Sequence, residues 1–444
     1  MKITYIGHSG YLVEMKNCYC LFDYYTGKLP QLADKPVFVF VSHGHQDHYN
    51  PWIFSLAEQY ASVCFVLPPD VKANPGKVPV LDKEQCTRLK EEGCIAMHRS
   101  WIYRLKARQE YAIAMGDVTL QIRTLRSTDA GVAYLVKQQE ATIFHAGDLN
   151  WWHWDGEEKQ YNNNMAANYK REIDTLSEVE IDVAFLPIDP KQGDYFWLGY
   201  DYFLKTVPVV KVFPMHFWGD TGLVGRFLMQ VRQNNAIRQT GCPKEKTDRQ
   251  SKGLLRGYCT EQEIRRIQLF EPLQEGETIE VCSGERFLEA MPEDKEEIMA
   301  LYRAMIGTEG CTWSEEYPAE ENFDYDVSHN NLFCMKNSKN EIIATIAIDD
   351  DPKVAVLSNW NPSFRKAGEL ARLAVRAQEQ NHGLARRMIQ SVMQVLKSRG
   401  YDAVHYLVSP TNPAALTSYA KLAFDFAGET QMYGKNWKLY EKKL

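Results

Sequence analysis

The chain has 444 residues, 45% apolar and 25% charged, which excludes a disordered polypeptide and is too long for one ordinary core. Its net charge of −7 excludes a broadly basic nucleic-acid-binding surface. No apolar run reaches membrane-spanning length, "MKITYIGHSGYLVE" has no secretory leader core, and the ten cysteines include no C-x-x-C pair, so a cytoplasmic protein with reduced thiols is expected.

"KITYIGHSGYLVEM" and "CYCLFDYY" alternate around a turn-like "MKN" and predict short strands. "PVFVFVSH" is continuously apolar, as in a strand buried on both faces. "NPWIFSLAEQY" then takes helical spacing, with Asn50 as N-cap and Pro51 in the first turn. Further strands are expected at "VTLQIRTL", "VAYLVKQ", "ATIFHAGD", "DVAFLPID" and "VKVFPMHF", with a helix at "MAANYKREIDTLSEV". The polar stretch from Thr240 to Gly257 reads as an exposed loop, and "IQLFEPLQEGETIEV" as the last strands of a first domain. At "ERFLEAMPEDKEEIMALYRAMI" a strand and an amphipathic helix begin a new pattern, so the boundary falls near Cys282 to Glu285. Two α/β domains result, 1–283 and 284–444.

Where the continuous apolar strand ends, "SHGHQDH" crowds His43, His45, Asp47 and His48 into one turn. Imidazoles and carboxylates are ligands for zinc and similar ions, and four such groups buried together without a metal would each need a partner. This motif resembles the metallo-β-lactamase superfamily of metal-dependent hydrolases, over roughly the first 280 residues. The resemblance implies an αββα sandwich with its site along one edge. It assigns His43, His45, Asp47, His48, the bridging Asp148 of "FHAGD" and His216 of "VFPMHFWGD" as metal ligands, and Asp23 of "LFD" as a brace for the histidine loop. One or two ions are implied, zinc first and manganese or iron as alternatives. Asp47 would also orient the water that attacks a lactone, ester, amide or phosphodiester.

One position departs from the family. Its third histidine is replaced by "LRSTDAG", with Ser127, Thr128 and Asp129. Three expectations stay open there: Asp129 as a ligand, His98 reaching in, or a weak first position that leaves one metal held mainly by Asp47, His48, Asp148 and His216. Trp151, Trp152 and Trp154 follow Asp148 and read equally as an aromatic wall of the site or as core. His145 and His153 read as orienting partners or ordinary structural residues.

In the C-terminal part, "ARLAV" is a strand, the face Leu384, Met388, Ile389, Val392, Val395 and Leu396 is helical, and "DAVHYLV" is a strand. The turn at Gly383 therefore sits at a helix N-terminus, a place suited to phosphate. The segment from Gln380 through Asn381, His382, Gly383 and Leu384 to Ala385 resembles the Q/R-x-x-G-x-G/A signature of the GNAT acetyltransferases, over about the last 160 residues. "NPAALTSYAKLAF" matches a second element of that family, with Ala423 where glycine is usual. The resemblance implies a GNAT α/β domain using acetyl-CoA: Leu373 and Val375 pair with its pantetheine arm, Gln380 to Ala385 hold its pyrophosphate, Asn412 contacts it and Tyr419 protonates the departing thiolate. Glu369 is one candidate base; a merely exposed glutamate is the plainer reading. The acids of "GCTWSEEYPAEENFDYDVSHNNLF", namely Glu315, Glu316, Glu320, Glu321, Asp324 and Asp326, either attract a cationic amine or form a solvated loop.

The expected function is a bifunctional enzyme, a metal-dependent hydrolase fused to an N-acetyltransferase. The alternative leaves only the transferase catalytic, with a degenerate first domain as scaffold. Small molecules are the expected substrates, with no nucleic-acid or membrane partner.

Overall fold

The structure is a computed structural model that describes residues 1–72, 80–81, 100–139, 141–240, 259–264, 266–282 and 284–444. The loop expected over 241–257 and the candidate His98 lie outside the described residues. The chain forms two compact units, Met1–Ser283 and Gly284–Leu444. No helix of the described residues is long and apolar enough to cross a membrane.

In the first unit, β1 (Lys2–Gly7), β2 (Gly10–Glu14) and β3 (Tyr19–Phe22) run antiparallel. β4 (Val37–Phe40), β5 (Val63–Leu67), β6 (Val80–Leu81) and β7 (Ser100–Arg104) extend that sheet with parallel pairings. A second sheet starts with antiparallel β8 (Glu110–Met115), β9 (Val118–Arg126), β10 (Val132–Gln138) and β11 (Ala141–His145). It continues in parallel through β12 (Ile181–Pro187), β13 (Val209–Met215) and β14 (Gln268–Leu269). β15 (Thr278–Glu280) returns to pair with β1.

The apolar run at β4 explains the layering. Side chains alternate across a strand, so Phe38 and Phe40 enter the core between the sheets with Tyr134, Phe22 and Phe185. Val37 and Val39 enter the outer core with Phe65, Ile53 and Leu56. On the far side, α1 (Lys159–Ile173), α2 (Leu198–Thr206) and α3 (Leu223–Thr240) bury Tyr169, Phe203 and Phe227 against the second sheet. This is the αββα sandwich. Asn50 caps the helical turn at Pro51 as expected, accepting the Trp52 N–H at 2.9 Å.

The second unit is one sheet, in the order β16 (Arg286–Glu289), β17 (Leu332–Lys336), β18 (Ile342–Asp349), β19 (Ala367–Val375), β20 (Ala403–Val408), β22 (Lys435–Lys443) and β21 (Asp425–Met432). α4 (Lys295–Met305) and α5 (Glu320–Ser328) cover one face. α6 (Leu384–Ser398) covers the other with Leu384, Met388, Ile389, Val392 and Leu396, leaving Val395 partly buried at the margin. α7 (Pro413–Ala420) follows β20. β19 and β20 pair in parallel only from Ala367 and Ala403 to Leu370 and Tyr406. Beyond that, β19 carries a bulge at Arg372, whose φ is +49°. The end of the pairing opens a cleft at the centre of the sheet.

Loops in the first unit close tightly on the histidine turn. Gly131 has φ +67°, and a Cβ there would fall 2.0 Å from the Ser42 carbonyl oxygen. That oxygen accepts the Val132 N–H at 2.9 Å, which ties the β9–β10 turn to the metal-motif turn. Gly131→Ala is expected to destabilise the first unit by about 2–3 kcal/mol, through strained φ and displaced backbone. A lowered urea midpoint, followed by tryptophan fluorescence, would check it.

Candidate functional site

Strand ends build the first site. His43, His45, Asp47 and His48 follow β4, Asp148 follows β11, Asp189 follows β12 and His216 follows β13. Parallel neighbours β11, β12 and β13 carry the last three to one edge. The acceptor atoms form two groups: His8, Asp47, His48 and His216, and His43, His45, Asp129 and Asp148. Within each group they lie within 4.8 Å of one another, a spacing that suits a shared ion. Asp148 joins the groups. Its Oδ1 lies 3.1 Å from His48 Nε2 and 2.9 Å from His216 Nε2, and its Oδ2 lies 3.3 Å from His43 Nε2.

Partners behind these side chains fix their orientation. Buried Asp23 accepts the Ser42 N–H and hydroxyl, each at 2.6 Å, and lies 2.7 Å from His48 Nδ1. With its proton given to Asp23, the Ser42 oxygen is left to accept from His43 Nδ1 at 2.9 Å. That directs the His43 Nε2 lone pair inward. Asp189 lies 3.2 Å from His216 Nδ1 and does the same for that ring. Thr128 donates to the carbonyl oxygens of Asp148 and Asn150, and the Asp129 N–H donates to Ser127 Oγ at 3.1 Å.

The electrostatics show a cluster built for cations. Burial opposes ionisation of Asp148, but the imidazoles of His48 and His216 hold its pKa well below the usual carboxylate range. Burial also opposes charge on His48, yet Asp148 and Asp23 raise its pKa to about 10. The neighbouring His8 imidazole is the main influence that lowers the Asp47 pKa. His8 Nε2 is buried without a hydrogen-bond partner, with Asp47 Oδ2 3.4 Å away. Nε2 atoms of His48 and His216 face each other at 2.9 Å. Inward-facing nitrogens and an orphaned buried atom are what a divalent ion would satisfy, so the donor set fits one.

The second site is the cleft between β19 and β20, a cavity of about 800 Å³. Leu373, Asn412, Tyr419 and Glu369 line it. Gln380 donates to the Val375 carbonyl at 3.1 Å, and Asn381 and Gly383 have positive φ. Gly383 is the N-cap of α6, so the loop from Gln380 through His382 to Leu384 and Ala385 presents that helix start. Asn412 caps α7 by accepting the Ala415 N–H at 2.9 Å. Tyr419 stacks edge-on against Tyr406 at 4.7 Å, and burial raises its pKa. Burial, then Asp349 and Asp351, raise the Glu369 pKa to about 8. The acids expected to shape this cleft mostly do not. Of that segment's six, only Asp326 lines the cavity, and Arg372 holds it with two hydrogen bonds of 2.8 and 2.9 Å. Glu320 and Asp324 instead pair with Lys295 on the surface.

Residues 2–163 match the beta-lactamase superfamily domain, and residues 298–424 match the acetyltransferase (GNAT) family. The chain joins a β-lactamase superfamily domain to a GNAT domain. It is 24% identical over 221 residues to a UPF0173 metal-dependent hydrolase of Nanoarchaeum equitans, covering 49% of this chain and 84% of that protein. It is 32% identical over 105 residues to rat N-acetyltransferase 8, covering 24% of this chain and 44% of that protein. The match therefore spans less than half of the rat protein. A solved GNAT-family acetyltransferase of Streptococcus agalactiae aligns over 36% of this chain and 96% of its own, at 18% identity and TM-score 0.32.

Within the β-lactamase superfamily domain, the departure at "LRSTDAG" brings a carboxylate near the histidine turn: Asp129 Oδ2 lies 3.7 Å from His45 Nδ1. His8 and Asp189 were not singled out by the motif reading. His8 sits between Gly7 and Gly10 at φ +50°, where the β1–β2 turn meets the strand ends. An acid directly after an apolar parallel strand was the available signal for Asp189. The tryptophans divide. Trp151 packs on the core beneath Lys170, while Trp152 donates to the Asp148 carbonyl and stacks on Trp154 beside His216. His145 is buried against Phe22, near Asp23, and His153 rests on Tyr195. Elemental analysis of Asp129→Ala against the parent is expected to show loss of about one ion per chain, with Asp129→His retaining it.

Proposed function

We propose that the β-lactamase superfamily domain hydrolyses a small lactone, ester, amide or phosphodiester with two divalent ions, and that the GNAT domain acetylates an amine from acetyl-CoA. The observation that carries the first half is Asp148, whose two oxygens face two separate donor clusters. In this reading His43, His45, Asp129 and Asp148 hold one ion, and His8, Asp47, His48, His216 and Asp148 hold the other. Zinc suits the imidazoles, and the carboxylate share leaves manganese or iron as alternatives. When bound, such ions supply a nucleophilic water near neutral pH and polarise the bond under attack. Asp47, partly exposed and held by His8, orients that water. The stacked Trp152 and Trp154 border the site and exclude bulk water. Asp129 supports a working site over a degenerate one, because it supplies a donor where the family histidine is missing.

In the GNAT domain, the amine nitrogen attacks the thioester carbonyl carbon. The C–N bond forms as the C–S bond breaks, Glu369 takes the amine proton, and Tyr419 gives its proton to the thiolate. Leu373 and Val375 lie on β19 beyond its pairing with β20, in keeping with a role beside the pantetheine arm. Gln380, Asn381, His382, Gly383, Leu384 and Ala385 would hold the pyrophosphate, with Asn412 beside the acyl end. Small-molecule substrates in the cytoplasm are favoured over nucleic acid by the net charge of −7 and by the buried cysteines Cys18 and Cys20, which form no disulfide.

Elemental analysis of full-length protein purified without chelator is expected to give about two ions per chain. The Asp148→Ala/His216→Ala variant should lose them, together with hydrolysis of chromogenic esters and lactones. A metal-free parent that takes up neither zinc nor manganese would overturn the hydrolase reading.

Acetyl transfer should depend on pH in a defined direction. Glu369 is protonated below about pH 8 and cannot accept a proton, so kcat/KM should rise through that value. Glu369→Gln should flatten the profile and slow transfer by about 10²-fold or more. A pH–rate profile of both proteins decides it.

A further inference from the structure

The acceptor end of the GNAT cleft has an unusual charge balance. Glu309, Asp326, Asp349, Asp350, Asp351 and Glu369 line it against two cations, Arg372 and Lys435. Arg372 is committed to Asp326 and Asp349, at 2.8 and 2.7 Å. Asp350 and Asp351 have no ion pair with a lysine or arginine among the described residues. Neutral donors hold them instead: the Tyr325 hydroxyl donates to Asp350 Oδ2 at 2.6 Å, and Asp351 accepts the Tyr433 hydroxyl and, at Oδ1, the Lys353 N–H at 2.9 Å. Trp313, Tyr317 and Trp437 add aromatic wall to the same cavity. Tyr406 also lines it, 97% buried, with a hydroxyl that has no hydrogen-bond partner. Carboxylates left without cations, beside aromatic faces, match a ligand that brings its own positive charge. The unsatisfied Tyr406 hydroxyl matches a ligand that also brings hydrogen-bonding groups.

We propose that the acetyl acceptor is a small di- or polycationic amine, one ammonium docking on Asp350 and Asp351 while a second, deprotonated amine is presented to the thioester. This rests on the acetyltransferase reading and adds the requirement for a remote positive charge. Asp349 and Glu369 are direct partners across β18 and β19, so the reacting amine lies next to the docking carboxylates. A flexible diamine of a few carbons spans such a distance; a monoamine leaves the docking charge uncompensated.

The test uses full-length protein and thiol release from acetyl-CoA, with 1,4-diaminobutane and spermidine compared against 1-aminobutane and against a lysine-rich peptide. Acetyl-CoA binding is measured separately by calorimetry. The diamines should exceed the monoamine in kcat/KM by about tenfold or more, a gap that narrows as salt rises. Asp350→Asn/Asp351→Asn should raise KM for the diamine by about tenfold and leave KM for acetyl-CoA unchanged. Acetyl-CoA binding with equal use of monoamine and diamine, with preference for the peptide, or with no turnover of any diamine overturns the proposal alone. Failure to bind acetyl-CoA overturns it together with the transferase reading.

Discussion

A buried carboxylate facing buried imidazoles is the constraint on which the first unit depends. Asp148 stands at the end of β11 with His43, His48 and His216 around it. Removing such groups from water costs several kcal/mol per charge, and only close opposite charge and further hydrogen bonds offset it. The chain provides both. Asp23 and Asp189 stand behind His48 and His216, Ser42 stands behind His43, and Trp152 and Thr128 bind the Asp148 backbone. The requirement reaches into the scaffold. Two parallel neighbours must end level so that Asp148, Asp189 and His216 meet, and glycines at 131 and 147 must let two loops close on Ser42.

The second unit solves a related problem with a different element. There a sheet is split rather than closed. β19 leaves β20 after Leu370, and the bulge that accompanies the split turns Arg372 into a buried position between Asp326 and Asp349. Arg372 can hold that strained φ because three partners fix its guanidinium, Tyr317 being the third. The same triad keeps two carboxylates beside Glu369 without leaving them fully uncompensated. Its charge is exhausted in doing so, which leaves Asp350 and Asp351 to neutral donors, two tyrosine hydroxyls and the Lys353 N–H.

Local pattern made much of this legible. The presence of strands β1 to β3, the doubly buried β4 and the Gly383 turn were readable because each depends on neighbours in sequence, whereas the expected alternation was not met, since β2 and β3 are buried on both faces. Ligands carried by the "SHGHQDH" turn were readable for the same reason. His8, Asp189 and the replacement of a histidine by Asp129 depend on which strand ends meet, and a single sequence does not carry strand order. The acceptor acids show the limit most clearly. The dense acids of "EEYPAEENFD" left a cation-attracting wall and a solvated loop both open, and Glu320 and Asp324 take the second form, paired with Lys295 on the surface. "IDDD" at the end of β18 carries no motif of its own. Strand register put it opposite Glu369 and inside the cavity.

Both sites follow one electrostatic logic with opposite means of relief. Packed strands hold buried polar and charged groups close together in both, so neither cluster can relax apart and each is only partly compensated from within. In the first unit the crowded groups are imidazoles and carboxylates whose inward atoms are already turned to a common centre, so the relief that fits is a compact divalent ion. In the second they are carboxylates spaced along a strand end beneath aromatic rings, too spread to share one ion but well placed for an extended organic cation. Asp349 links this to catalysis. It raises the Glu369 pKa while sharing a cavity wall with the docking acids. Burial is the larger cause of that rise, and a cation seated there offsets the carboxylate repulsion that adds to it. Acceptor binding and activation of the base are therefore coupled through a single patch of charge, and an amine without a second charge forgoes both the docking energy and the better base.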